Sequence, residues 1–214
     1  MKAYHFLKED MRAGSGKEKP WKVGEERTVP KPDRVVLCTY GYHSAPSWRD
    51  ALNYAPGSVA CIVEVSDPIA HDDSKQVSAT RKLVAAKDAS KELRLFTCDC
   101  AERALKRERK AGREPDERSW EVIIIARRYA DGKATLEELN AAYNAAYYAA
   151  YAAADAAAYN AAADAAAAYN AAYNAAYAAA AYNAAYNAAY ADEIKWQRKQ
   201  LARHLDAIFA DKGE

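Results

Sequence analysis

The spacing of apolar positions divides this chain into two regimes, period two near its start and helical spacing beyond. Residues Lys2 to Leu7 (KAYHFL) alternate and predict a strand. Residues 8–33 are dense in Gly, Pro and charge and read as a loop, with Trp21 and Val23 expected to pin it to a core. After Arg34, VVLCTYGYHS predicts a strand entering a turn, SWRDALNYAPG a short helix and SVACIVEVS a continuous apolar strand. Ser47 suits the helix N-cap, with Asp50 three residues on, and Pro56-Gly57 is a helix stop. DPIAHDDSKQ follows as a polar loop, and VSATRKLVAAK as a further strand or the lead into the next helix.

From about Asp88 the period becomes helical. Leu93, Phe96, Ala101, Ala104 and Leu105 form one stripe, ending at a C-cap expected at Gly112. Pro115 and Asp116 mark a second helix start and Gly132 its end, with Trp120, Ile123, Ile124 and Tyr129 as the expected buried stripe. Thr135 and Glu138 have the spacing of a capping box, in which each residue satisfies the other's free backbone N–H. They open a run to Tyr190 made almost wholly of Ala, Tyr and Asn, and the close regains amphipathicity through Ile194, Trp196, Leu201, Leu205, Ile208 and Phe209. That tail is expected to dock on an apolar surface. The fold class predicted is α+β: a small mixed domain over 1–87, connector helices over 88–134, and Ala/Tyr-rich helices with an amphipathic tail over 135–214.

Alanine loses no side-chain entropy in a helix, and no Gly or Pro interrupts the run, so the repeat predicts helix. Tyr143, Tyr147 and Tyr151 lie four apart, as do Tyr169, Tyr173 and Tyr177, and Tyr182, Tyr186 and Tyr190. A step of four runs about 40° past a full turn, so each tyrosine row slides round the helix and is no coiled-coil seam. One straight helix over 135–210 would be about 110 Å long. Between Asn140 and Ala191 only Asp155 and Asp164 are ionisable besides tyrosines, a surface that calls for a partner: the run folded back on itself, a second copy, or another protein.

Composition narrows the classes. A formal net charge of +1 supplies no general field for nucleic acid, which is disfavoured. Cys38, Cys61, Cys98 and Cys100 lack a disulfide-framework spacing and no signal segment opens the chain, so a reduced cytoplasmic protein is expected. No stretch is apolar enough for a membrane span.

Two resemblances sit on particular residues. W-x-x-G from Trp21, then LC-x-x-GYH and WRDALNYAPGSVACIVEV, resembles an N-terminal domain of unknown function common in phage and prophage proteins, some with Ala-rich C-terminal repeats. CAERALKRERKAGREPDERSWEVIIIARRYADGKATLEELNAA, from Cys100, is similar to a helical family described as bacterial immunity proteins, which implies binding rather than catalysis.

The order of parts in the first domain also resembles ADP-ribosyltransferase-like folds: Tyr4-His5 on a first strand, a Gly41 to Ser44 turn, a helix carrying Ala51 and Tyr54, and a hydrophobic return strand. The resemblance implies that the strand histidine holds the nicotinamide ribose, an aromatic stacks on the nicotinamide, and a later Glu stabilises the oxocarbenium-like transition state. His5, Tyr42 and Tyr54 match the first two roles. Gln76, or Asp72 and Asp73, stands where the Glu belongs, and an amide stabilises developing positive charge less well than a carboxylate.

Other candidates have simpler readings. Cys38 and His43 could pair as nucleophile and base but lack a third, orienting group. His71 with Asp72 and Asp73 reads as a solvated loop, and no metal or cofactor is expected. Cys98 and Cys100 would lie about 200° apart on a helix. The basic run Lys106 to Lys110 reads as a solvated helix face. The leading expectation is a non-catalytic phage-type accessory protein acting by contact, with a protein partner or with itself, through the nine repeat tyrosines named above. The alternatives are a nucleotide-binding or degenerate ADP-ribosyltransferase-like first domain, with His5, Tyr42, Tyr54 and Gln76 as its site, and a structural scaffold.

Overall fold

The computed structural model describes residues 1–14, 18–66, 70–112, 114–147 and 190–210. Among the nine repeat tyrosines it describes Tyr143, Tyr147 and Tyr190; Tyr151, Tyr169, Tyr173, Tyr177, Tyr182 and Tyr186 lie outside the described residues. The chain is α+β and divides into two compact units, Met1–Phe96 with Gln197–Glu214, and Thr97–Trp196. The first unit is therefore built from both ends of the chain.

Its main sheet is antiparallel, in the order β1-β4-β7-β2, with β1 Lys2–Leu7, β2 Glu26–Thr28, β4 Val59–Val65 and β7 Thr80–Asp88. A smaller sheet runs β3-β6-β5, with β3 Tyr42–Ser44, β5 Ala70–His71 and β6 Gln76–Ser78. Successive strand side chains leave on opposite faces. Ala3 and Leu7 accordingly join Trp21, Cys61, Val63 and Leu83 in one core, while Phe6, on the alternate face, meets Trp48 at 5.9 Å. The backbones of Tyr4 and Ala45 exchange two hydrogen bonds of 2.9 Å, which moors the end of β3 to β1.

α1, Trp48–Leu52, begins as its sequence predicts: Ser47 is the N-cap and its side chain accepts from the Asp50 N–H. Asp50 is buried but not unpaired, because Arg198 reaches it at 3.1 Å. The amphipathic tail, helical to residue 210, packs here: Leu201 and Leu205 are fully buried, Phe209 stacks on Trp48 at 5.6 Å, and Trp48 Nε1 donates to Asp206 at 2.8 Å. The Lys87 ammonium donates to the Ile208 carbonyl.

The second unit is helical. α2, Ser90–Lys110, starts in the first unit and ends in the second; α3, Glu117–Ala130, is capped by Asp116 as expected. Thr135 and Glu138 form the capping box, with Glu138 N–H donating to Thr135 Oγ1 at 3.1 Å and Thr135 N–H to Glu138 at 2.6 Å. Several members of the basic run are paired: Lys106 with Glu102, Arg107 with Glu193 at 2.6 Å, and Arg109 with Glu114 at 2.5 Å. Such a face offers phosphates little unpaired charge.

The sequence expectation fails at five places. The 8–33 and 67–76 loops contain β2 and β5, whose three and two residues are too few to show a period. Residues 36–40 form a tight turn, not a strand, closed by Val36–Tyr40 backbone bonds, with Cys38 at φ 66°. Val23 is 59% exposed although Trp21 is buried, and Ile124 is 60% exposed because the buried side of α3 centres on Ile123.

Candidate functional site in the N-terminal unit

One cavity of the first unit, about 300 Å³, forms where three separate segments meet. β1 brings Tyr4 and His5; the turn and β3 bring Cys38, His43, Ser44 and Ala45; α1 and the residues after it bring Ala51 and Tyr54, and Lys75 closes one side. The Tyr4–Ala45 backbone pairing brings the first two segments together, and the Ser47 cap sets the direction in which α1 carries Tyr54.

The two histidines differ in what they can do. His43 Nε2 accepts from the Cys38 backbone N–H at 2.8 Å, and its ring also bonds the Gly41 backbone. Both bonds go to backbone, so His43 is a fixed wall and not a base for the Cys38 thiol. His5 Nε2 is buried and has no hydrogen-bond partner among the described residues. Burial above all, then the charges of Arg81 and His43, hold the His5 imidazole well below the ordinary histidine range. Burial likewise lowers His43. Both rings are thus neutral near pH 7, and a neutral imidazole can donate at one nitrogen and accept at the other.

Tyr54 is half exposed, its hydroxyl 2.9 Å from Ser74 Oγ. The Lys75 ammonium lies 4.9 Å from its ring centre and is raised above the usual lysine range, first by a hydrogen bond with Cys38. Asp72 accepts from the N–H groups of Ser74 and Lys75 at 2.8 Å, which sets the loop carrying that lysine.

A second cavity, about 210 Å³, shares His5 and His43 with the first and is otherwise lined by Ala13, Glu18, Gly41, Tyr42 and Arg81. Arg81 is 3% exposed and lies against the rings of Trp21 at 4.4 Å and Tyr42 at 5.1 Å, which are themselves 5.4 Å apart. Burial draws it down to about 10.

The structure thus brings His5 and Tyr54 together in one cavity and puts Tyr42 in the other. Gln76 lines neither: it is buried and donates to Ser44 Oγ at 3.1 Å, directly behind the cavity wall. Lys75 and Arg81 were not picked out from the sequence. Arg81 left a signal, since it is in phase with Leu83 on β7 and so occupies an inward position of the alternation. Tyr143, Tyr147 and Tyr190 are 61%, 54% and 56% exposed. Among the described residues no group of His, Cys, Asp and Glu has the makings of a metal site, and no helix is long and apolar enough to cross a membrane.

A family described as a domain of unknown function, DUF7666, matches residues 1–94, which covers both cavities. No curated protein and no solved structure shows a match to the chain.

Proposed function

We propose that the N-terminal unit is a nucleotide-binding module. The observation that carries the reading is the meeting of His5, Ser44, Ala51 and Tyr54, from three separate segments, around one cavity of about 300 Å³. These parts fall in the chain order on which the ADP-ribosyltransferase resemblance rests. An exposed aromatic face suits a planar base, and a neutral imidazole suits a ribose hydroxyl, which needs one acceptor and one donor. The reading is binding without transfer, because an oxocarbenium-like centre calls for a carboxylate and Gln76 is a buried amide already bonded to Ser44.

The test is calorimetric titration of the full chain with NAD+ and with ADP. Stacking on an aromatic contributes about 1–3 kcal/mol per base, so Tyr54→Ala is expected to weaken binding about 5- to 150-fold. Absence of saturable binding by either ligand, or equal affinity of the variant, would sink the reading.

A second reading concerns the helices, as a phage-type accessory or immunity-like protein working by contact. It is favoured by Tyr143 and Tyr147, one turn apart on a helix and each more than half exposed. Under it, Tyr143→Ala with Tyr147→Ala lowers the sedimentation-derived mass of a concentrated sample towards 23.5 kDa. A wild-type mass already at that value at every concentration removes self-association.

A further inference from the structure

Arg81 is a buried cation without an ion pair among the described residues; the Glu18 charge, on the same cavity, raises its pKa only partway against the effect of burial. Its guanidinium lies against both Trp21 and Tyr42, and its one hydrogen bond among the described residues runs from Nη1 to the His43 carbonyl at 3.1 Å. A guanidinium has five N–H donors in a fixed fork along its edge, so one hydrogen bond leaves most of them free to bond. No carboxylate among the described residues makes an ion pair with it. Burying a charge in this way is costly unless something compensates it. The guanidinium borders the cavity of about 210 Å³, and so does His5, whose buried Nε2 lacks a partner among the described residues. His5 lines the first cavity as well, so a ligand lying in both would pass this imidazole.

We propose that Arg81 is the phosphate-binding residue of this site, taking the phosphoryl oxygens of the nucleotide whose base lies on Tyr54, with His5 between them. The assignment rests on the nucleotide reading above. Phosphoryl oxygens fit the planar donor fork of an arginine and accept in the directions its free edge offers. Glu18 refines the class. Its carboxylate lines the same cavity, accepts from the Ala13 N–H at 3.0 Å and stands 3.9 Å from Arg27. A phosphate monoester dianion is repelled there more than a phosphodiester or a dinucleotide's pyrophosphate bridge, which carries one charge per phosphorus. The site therefore favours the bridged group.

The test titrates the full chain with ADP-ribose, adenosine and inorganic pyrophosphate, in wild type, Arg81→Gln, Glu18→Gln and Tyr54→Ala. ADP-ribose should bind wild type at least about tenfold more tightly than adenosine, as expected for hydrogen bonds to a charged group. Arg81→Gln should erase that advantage and Glu18→Gln enlarge it. If Arg81→Gln, at a buried position, fails to fold, Glu18→Gln, at a half-buried position, decides alone, and an unchanged or smaller advantage overturns the proposal. Adenosine binding that depends on Tyr54, with no gain from the phosphates, also overturns it and leaves the nucleotide reading standing. Pyrophosphate binding that depends on Arg81, without any adenosine binding, upholds Arg81 as an anion site and overturns the nucleotide reading instead.

Discussion

Replacing Trp48 by alanine lowers the stability of the N-terminal unit by about 3–5 kcal/mol, the range for deleting a large buried aromatic. The indole is 2% exposed and lies among three other rings: Tyr4 at 4.4 Å, Phe6 at 5.9 Å and Phe209 at 5.6 Å. Its N–H is also a link between chain ends, through Asp206 at 2.8 Å. Alanine leaves a void where the tail helix rests, so the tail's Leu201 and Leu205 lose part of their packing as well. Trp48→Phe keeps a ring in place and removes the N–H; Asp206 is exposed and water can replace that bond, so this variant costs only about 1 kcal/mol. Urea unfolding followed by circular dichroism gives both numbers. A loss below about 1 kcal/mol for Trp48→Ala would mean that the tail does not close the unit.

Gly41→Ala damages the fold and the site together. Gly41 has φ 130°, a region that residues with a Cβ rarely occupy, at a cost of about 1–3 kcal/mol. A Cβ built there lies 2.4 Å from Val77 Cγ2 and 2.8 Å from Val35 Cγ1, and Val77 is completely buried. Relieving that overlap costs about 1–3 kcal/mol more. Gly41 also leads directly into β3, and its backbone anchors the His43 ring, so any shift misplaces the wall of both cavities. The expected result is a protein with a lowered melting temperature that no longer binds nucleotide even well below it. A variant as stable as wild type would show that the turn can move away from Val77.

Local chemistry wrote much of this architecture plainly. β1 and β4 follow from alternation and from an unbroken apolar run, α1 from the Ser47 cap, α3 from Asp116, and the helix after Thr135 from its capping box, each needing only neighbours within a few residues. What depended on distant partners was not legible. Nothing near Trp48 announces Asp206, 158 positions away. Nothing near Tyr42 announces that it packs on Trp21 and Arg81, so the sequence grouped it with Tyr54 although the two line different cavities. His5 and Tyr54 could be paired in advance because the order of strand, turn and helix carries that information. Gln76 lines neither cavity, and only the fold reveals that its amide is spent on Ser44.

The discontinuous first unit also gives the Ala/Tyr repeat a physical setting. Residues 97–196 are bracketed by segments that both belong to the first unit, so the repeat is an insertion in the chain of that unit rather than a free extension of it. The family match, which ends at residue 94, stops close to where the first of those segments ends.

The account stands most directly on where a nucleotide binds. Amide and side-chain chemical shifts of the labelled full chain, followed during titration with NAD+, would locate it. The account predicts saturable shifts at His5, Ser44, Ala51 and Tyr54, extending to Tyr42 and Arg81, with little change along the tail helix at 197–210. Saturable shifts confined to other residues, or none at all, would contradict it.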